Sequence, residues 1–153
     1  MSEESVITDE LRALIGKEFG PVTYEVEKGA IRSMAEAIGL NDPQGQDHHS
    51  SRYTHNENVV APPTFLVTFR IEDCYEAVKN ARCSLKRILN GGLTLHFYHP
   101  IKAGDTITTT EKVVDIQERQ GKGGPMLLIH SERKYVNQRH ELVAKIQSTG
   151  IRC

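Results

Sequence analysis

The sequence has only three cysteines and no long apolar run, and each of these features argues against a class of protein. Cys74, Cys83 and Cys153 form no closely spaced pair and are odd in number, which argues against a disulfide framework and a zinc ribbon. No apolar stretch approaches the roughly 20 residues that a membrane-spanning helix needs. The acidic residues 1–4 are followed by no apolar segment of a secretory signal peptide, so we expect a cytoplasmic protein without a membrane partner.

The charges are nearly balanced, since 19 basic and 20 acidic residues leave a net charge of -1. They are mixed along the whole chain and form no basic stripe, so we expect no nucleic-acid partner. The seven histidines include a cluster at His48, His49 and His55, but no two histidines have helical i, i+4 spacing with a glutamate nearby. We therefore predict neither a metal site nor a cofactor. The length of 153 residues predicts a single domain, with its core at about 15–151.

The N-terminal part predicts two helices separated by a strand. A short helix over 8–15 has Thr8 as its N-cap and ends at Gly16. A strand over 19–26 contains Pro21, which confines it to the edge of a sheet. The next helix has four apolar residues at i, i+3, i+4 and i+7 and a glycine after them, which predicts one buried face. These residues are Ile31, Met34, Ala35, Ile38 and the terminating Gly39.

Residues 40–60 are polar and loop-like, and a loop of this length inside a domain is usually functional. Two prolines after it hold the chain extended, and Thr64 stands where the N-cap of a helix belongs. A helix is predicted over 65–79, with Cys74 buried. Its first two turns are apolar nearly all round, so other elements must cover it on most sides.

The C-terminal half predicts an antiparallel meander of four strands, at about 93–99, 105–118, 126–136 and 142–151. A glycine-rich turn at 120–125 and a hairpin loop at 137–140 join the last three strands. A sheet of about five strands needs its apolar face covered, and the helix at 64–79 is the only one long and apolar enough. The predicted fold is therefore an α+β hotdog fold, a curved antiparallel sheet wrapped around a central helix.

Three separated segments resemble the MaoC-like dehydratases and hydratases, namely 39–43 (Gly-Leu-Asn-Asp-Pro), 61–65 (Ala-Pro-Pro-Thr-Phe) and 98–106 (Tyr-His-Pro-Ile-Lys-Ala-Gly-Asp-Thr). Similar spacing extends over 15–151. The sequence is most similar to the N-terminal-half type, which is the non-catalytic half of two-domain hydratases or the partner subunit of (3R)-hydroxyacyl-ACP dehydratases. The resemblance implies (R)-specific hydration or dehydration, by a hydro-lyase, of an acyl chain carried as a thioester on CoA or acyl carrier protein.

Active members of that family carry an aspartate and a histidine five residues apart, in a loop that reads Gly-Asp-x-Asn-Pro-x-His. In this chain the two positions hold Leu40 and Gly45, and neither residue can transfer a proton. The resemblance therefore implies a non-catalytic subunit whose catalytic pair comes from a partner chain. Because a lone hotdog sheet exposes an edge, we expect a homodimer or a heterodimer with a catalytic hotdog subunit.

The same loop and the start of the predicted central helix supply the candidate site residues. A displaced acid–base pair is chemically possible because histidine titrates near neutral pH, although an exposed polar loop carries such residues anyway. The weak catalytic candidates are Asp42, Asp47, His48 and His49, with His55 nearby. At the helix entrance, free backbone N–H groups can bind the thioester carbonyl oxygen, while Thr64 is equally explained as a plain N-cap. The substrate-binding candidates are Asn41, Ala61, Pro62, Pro63, Thr64 and Phe65.

Two further functions stay open at this point. A hotdog acyl-CoA thioesterase needs a carboxylate near the central helix, and Glu72, Asp73 and Glu76 are predicted on its exposed face, which counts against them. A non-enzymatic module that binds acyl thioesters needs no acid or base. Lys122, in the glycine-rich turn, can bind a phosphate of CoA or of a phosphopantetheine arm, although a flexible hairpin tip explains this turn as well. Contact with an acidic carrier protein stays open for a basic group that a solvated strand face also explains. That group is Arg133, Lys134 and Arg139.

Overall fold

The computed structural model describes residues 5–40 and 59–153, which form an antiparallel five-stranded sheet with helices packed on one face. The strands stand in the order β1-β3-β4-β5-β2. Their bounds are β1 (Glu18–Glu25), β2 (Ile88–Phe97), β3 (Thr106–Gly121), β4 (Gly124–Val136) and β5 (Leu142–Arg152). The helices are α1 (Asp9–Leu14), α2 (Lys28–Ala37), a 3-10 helix (Pro63–Thr68) and α3 (Glu72–Asn80). The predicted α+β class and the edge position of the Pro21 strand are confirmed.

The predicted four-strand meander is wrong in one respect, because β2 pairs with β5 and not with β3. The chain between β2 and β3 crosses the end of the sheet rather than turning tightly. There the Ala61 N–H donates to the Ile101 carbonyl over 2.7 Å, and the Ala103 N–H donates to the Val59 carbonyl over 2.8 Å. As a result, β3 lies between β1 and β4, and β2 remains an edge strand beside β5.

The termini of the first two helices are those that their sequences predict, with one exception. The Thr8 hydroxyl accepts from the Leu11 N–H over 3.3 Å, so the predicted cap is confirmed. Gly39 has a φ of +76°, and the Leu40 N–H donates back to the Ala35 carbonyl over 2.7 Å. These are features of a helix end of the Schellman type. Ile38 lies beyond the last helical residue and is 51% exposed, so its predicted place on the buried face is wrong.

The central helix predicted over 65–79 is not continuous. The structure has a 3-10 helix and then α3, separated by residues 69–71. Side chains from distant strands donate hydrogen bonds to the backbone carbonyls at the break. The Tyr135 hydroxyl donates to the Leu66 carbonyl over 3.0 Å, and the Arg133 guanidinium (Nη1) donates to the Phe69 carbonyl over 3.1 Å. The Tyr24 hydroxyl donates to the Arg70 carbonyl. Because these carbonyls are already satisfied, the chain can leave the helical path without burying unpaired groups.

The C-terminal end of α3 is fixed to the sheet by Arg152, which is only 2% exposed. Its Nη1 atom donates to the carbonyls of Val78 and Ala81 over 2.8 and 3.0 Å, and its Nε atom donates to the Leu85 carbonyl over 3.1 Å. A cation beside the last carbonyls of a helix also interacts favourably with the helix dipole. Arg152 therefore holds α3 at a set position over β5.

Candidate functional site

Two cavities lie on the helix-bearing side of the sheet along β2. The register pairs Leu93, Leu95 and Phe97 with inward-facing residues of β5, so these three side chains share the inner face. The first cavity, the entrance cavity, has a volume of about 320 Å³ and lies where the chain enters the 3-10 helix. It is lined by residues 60–63 and 97–101.

The entrance cavity brings together three of the predicted binding residues. Ala61, Pro62 and Pro63 line it, whereas Phe65 is 4% exposed and packs in the core beneath. Thr64 is exposed inside the first helical turn and does not serve as the N-cap, so that prediction is wrong. The 3-10 turn closes at Pro62, which occupies the cap position without a side-chain hydrogen bond. Asn41 lies outside the described residues.

The helix entrance offers fewer free N–H groups than the sequence predicts. A regular α-helix leaves its first four N–H groups unpaired. Here Pro63 has no N–H, and the Phe65 N–H donates to the Pro62 carbonyl over 2.9 Å because the turn is of the 3-10 type. Within the described chain, the Thr64 N–H is the remaining donor of this turn. A thioester carbonyl placed here would therefore receive one backbone hydrogen bond.

The second cavity, the groove, has a volume of about 440 Å³ and runs between α3 and the strands β5 and β2. Its walls are apolar, with Val67, Ile71 and Val78 on the helical side and Leu93 and Ile129 on the sheet side. Its floor is polar. The floor residues, which we call the polar floor, are Glu111, Ser131, Arg133 and Ser148.

An ion pair forms the centre of the polar floor. The Glu111 carboxylate (Oε2) accepts from Arg133 Nη2 over 2.9 Å and from Nε over 3.1 Å. The two side chains are only 7% and 15% exposed. Burial opposes the charge on Arg133, but attraction to Glu111 and the contacts with Tyr135 outweigh it and raise the guanidinium pKa. Glu111 is thereby engaged by a permanent cation and is not a free base.

Arg133 therefore has a role that differs from the two considered for it from the sequence. Its side chain is 15% exposed and lies on the inner face of β4, so a contact with a carrier protein and a solvated strand face are both wrong for this residue. Lys134 and Arg139 are exposed. Lys122 is also exposed, at the tip of the β3–β4 hairpin. The carrier contact remains a prediction for Lys134 and Arg139, and the phosphate contact remains a prediction for Lys122.

The thiol in the groove is not a nucleophile at neutral pH. Burial raises the pKa of Cys74 to about 12, and the nearby Glu111 charge contributes. Its predicted burial is confirmed at 3% exposure. A thiol with this pKa is almost fully protonated at physiological pH, and the thiolate is the reactive form.

The carboxylates considered for a thioesterase line neither cavity. Glu72 and Asp73 are exposed, as the predicted outer face of the helix requires. Glu76 accepts hydrogen bonds from Lys79 and Asn80 over 3.2 and 2.9 Å. Residues 5–40 and 59–153 therefore offer no observation in favour of the thioesterase.

The sequence-based catalytic candidates belong to the segment that the sequence predicts to be a long loop. Asp42, Asp47, His48 and His49 lie outside the described residues, as do Gly45 and His55. Leu40 is described, and its backbone closes the end of α2. Over 5–40 and 59–153, no group of three or more His, Cys, Asp or Glu side chains is arranged to hold a metal ion. Within the same residues, no helix is long and apolar enough to cross a membrane.

The polar floor was not predicted, although the sequence contains a signal for it. Glu111 alternates with Ile107, Thr109 and Val113, and these inner-face residues are fully or almost fully buried. A carboxylate at a core-facing strand position requires a buried partner. Arg133, at the inward position directly opposite on β4, is that partner.

An antiparallel sheet in this order, carrying its helices on one face, defines a hotdog-fold protein. A double-hotdog protein of Mycobacterium tuberculosis, Rv0216, matches with a TM-score of 0.61 and 19% identity over 90% of this chain and 42% of that one. The HadBC (3R-hydroxyacyl-ACP dehydratase) complex from the same organism matches with a TM-score of 0.67 and 18% identity, over 90% of this chain and 96% of the matched chain.

The sequence assigns the family within this fold. Residues 13–146 match the model of the FAS1-like dehydratase domain region, and the chain belongs to that family. A protein of Saccharopolyspora erythraea named "UPF0336 protein" is 33% identical over 113 residues, which are 72% of this chain and 72% of that protein. The predicted resemblance to MaoC-like hotdog dehydratases and the predicted hotdog fold are therefore confirmed.

Proposed function

We propose that this chain is the substrate-binding, non-catalytic subunit of an (R)-specific enoyl-thioester hydratase or 3-hydroxyacyl-thioester dehydratase. The observation that carries the proposal is that, among the described residues, the two cavities hold no aspartate–histidine pair: His99 lines the entrance cavity, but no carboxylate lines it with His99. In the described part of the chain, the one carboxylate that lines either cavity, Glu111, is held by Arg133. Hydration of an enoyl thioester needs a general base for water and a proton donor for carbon. A partner chain supplies both groups.

In this proposal the entrance cavity holds the thioester of a CoA or acyl-carrier-protein substrate. The Thr64 N–H is its hydrogen-bond donor, and Pro62 and Pro63 hold that turn rigid. The acyl chain extends into the groove, whose walls are apolar. Displacing water from apolar surface contributes about 25 cal/mol per Å², so the groove supplies binding free energy while the partner supplies the chemistry.

The partner would bind along β2, an edge strand whose register with β5 is irregular only between Asn90 and Gly92. Edge strands of soluble proteins usually carry charges, prolines or bulges that prevent pairing with another chain. Here Leu89, Leu93 and Phe97 are 44%, 43% and 46% exposed, and Tyr98 just beyond the strand is 51% exposed. A second hotdog subunit pairing with β2 would cover these side chains and close the open side of the groove. HadBC, one chain of which has a similar fold, is itself a complex.

The charge of this edge favours a heterodimer over a homodimer. Residues 81–104 contain Arg82, Lys86, Arg87 and Lys102, and they include no aspartate or glutamate. A two-fold axis would place two copies of this basic segment against each other. A catalytic subunit with carboxylates along its own edge would be electrostatically complementary, which favours the correct pair and disfavours self-association.

Crotonyl-CoA hydration tests the proposal. The chain alone is expected to be inactive, and the chain co-purified with an adjacent-gene hotdog protein that carries the Gly-Asp-x-Asn-Pro-x-His loop is expected to be active. Light scattering should give the mass of one copy of each. Hydration by the chain alone, lost on His48→Ala or His49→Ala, would show instead that the long loop is catalytic. Acyl-CoA binding without activity in any pairing would indicate a non-enzymatic binding module.

A further inference from the structure

A buried arginine at the inner end of the groove has no acidic partner. Arg152 is 2% exposed and lines the groove, and its Nε and Nη1 atoms donate only to backbone carbonyls of α3 and of the loop after it. None of the ion pairs formed within residues 5–40 and 59–153 includes Arg152. The negative end of α3 offsets about half an elementary charge. The rest of the buried charge lacks a partner, which is unfavourable.

The Nη2 atom is the part of this guanidinium that remains available. A guanidinium has five N–H donors, and Nη2 carries two of them. Among the described residues, Nη2 has no acceptor, yet the only fully enclosed side-chain nitrogen or oxygen without a partner is the Thr109 hydroxyl. Nη2 therefore reaches open space. Arg152 lies on the inner face of the sheet, opposite the fully buried Leu127, and the cavity that it lines is the groove.

The surroundings of Nη2 favour an anion. Ile88 lies directly opposite Arg152 on β2, and Val78 lies on α3, so apolar side chains border this end of the groove. Glu111, the one carboxylate that lines the groove in the described chain, is already bound by Arg133. The loop over 81–87 includes no aspartate or glutamate. Its cations are Arg82, Lys86 and Arg87.

A carboxylate at the tip of an apolar chain matches this end of the groove. Guanidinium N–H groups form charge-assisted hydrogen bonds with carboxylates, while the apolar walls fit methylene groups. We propose that the groove binds acyl chains that end in a carboxylate, and that Arg152 Nη2 donates to it. The carboxylate site follows from the contacts of Arg152, whereas its assignment to an acyl thioester rests on the proposed function.

The position of Arg152 also determines which chains can reach it. Phe97, at the entrance cavity, pairs with Ala144, and Arg152 lies eight residues further along β5, from 144 to 152. At about 3.3 Å per residue, the two positions are about 26 Å apart. A carboxylate on a shorter chain would lie between apolar walls, where burial of its charge is unfavourable. The preference for a carboxylate is therefore expected only in long acyl chains.

The test compares ligands that differ in the charge of their last group. Alkyl-CoA thioethers, which cannot be hydrolysed, are prepared in a series of chain lengths, each ending in a carboxylate or in a carboxamide of similar shape. Their dissociation constants for the full chain are measured by calorimetry at neutral pH. Chains that reach Arg152 are expected to bind about tenfold more tightly as the carboxylate, because a hydrogen bond between charged groups contributes more than a neutral one. Short chains should bind more weakly as the carboxylate.

Substitutions of Ile88 assign the effect to Arg152 and leave the contacts that hold α3 intact. Directly opposite side chains on paired strands have Cβ atoms about 4.5–5.5 Å apart. Ile88→Glu therefore places a carboxylate beside Arg152, where it occupies the Nη2 donors. The preference for the carboxylate ligand is expected to disappear or to reverse. Ile88→Gln has the same length without the charge, and this matched control should keep the preference.

The outcomes separate the two proposals. If no thioether binds the chain or its complex with a partner, the proposed function fails. A long-chain fatty acid that binds more tightly than its amide, and loses this advantage in Ile88→Glu, would then still support the carboxylate site. If thioethers bind without a carboxylate preference at any length, or the preference survives Ile88→Glu, the carboxylate site is refuted while acyl binding stands. A preference lost in the complex would assign Arg152 to a carboxylate of the partner and overturn the acyl assignment.

Discussion

Replacing Arg133 by methionine is expected to destabilise the chain severely, because it leaves Glu111 charged and unpaired. Arg133 is 15% exposed and makes four hydrogen bonds, to Glu111, Tyr135 and the Phe69 carbonyl. Removing one partner of a buried ion pair typically costs about 3–5 kcal/mol. The total stability of a small domain is about 5–15 kcal/mol, so this loss would be a large part of it.

A double-mutant cycle separates the orphaned charge from the lost contacts. Arg133→Met, Glu111→Gln and the double variant are unfolded in urea at neutral pH. The double variant is expected to be more stable than Arg133→Met alone, since it buries no unpaired charge. Lys134→Met is the matched control from the same strand, because Lys134 is 53% exposed and surface ion pairs contribute about 0–1 kcal/mol.

The size of the deficit of Arg133→Met is the decisive readout. A deficit under about 1 kcal/mol would equal the contribution of an exposed ion pair, and it would refute the idea that Glu111 depends on Arg133 as its buried partner.

Two further predictions concern the groove thiol and the edge strand. Burial raises the pKa of Cys74 to about 12, so iodoacetamide at mildly alkaline pH should alkylate the half-buried Cys153 of the native chain before Cys74. Peptide mass spectrometry measures the order of labelling. Rapid labelling of Cys74 in the native chain would contradict its burial. Phe97→Lys places a charge on the inner face of β2 and should weaken association with a hotdog partner at least about tenfold in light-scattering titrations. Thr94→Lys, on the opposite face of the same strand, is the control and should have a smaller effect. Equal effects of the two substitutions would argue against partner contact on the inner face.

Local sequence patterns predicted most of the elements. Thr8, Gly16 and Gly39 end or begin helices as their residue types require, and Pro21 lies in an edge strand. The alternation of apolar residues placed β3, β4 and β5 within a few residues of their observed bounds. These features depend on neighbours within about four residues, which is the range that periodicity and capping rules cover.

The break in the central helix could not be predicted from residues 65–79 themselves. Their apolar periodicity favours one continuous helix, and the hydrogen bonds that replace helical ones at the break come from Tyr24, Arg133 and Tyr135. These residues are 46 to 69 positions away in sequence from the carbonyls that they contact. The pairing of β2 with β5 is non-local for the same reason. The entrance cavity depends on both features, so only its proline-rich border was predictable.

The break also links the fold to the proposed binding role. A continuous helix over 65–79 would be about 22 Å long, whereas the nine residues of α3 span about 14 Å. If the groove holds the acyl chain, the shorter helix leaves room for it, and Arg133 both stabilises the break and contributes to the polar floor. Any substitution of Arg133 must then alter stability and binding together. Among the described residues, Ser148 makes no side-chain hydrogen bond to the helical segment, and its hydroxyl is hydrogen-bonded to Ser131. A substitution of Ser148 is therefore expected to alter binding in the groove without disturbing the break in the helix.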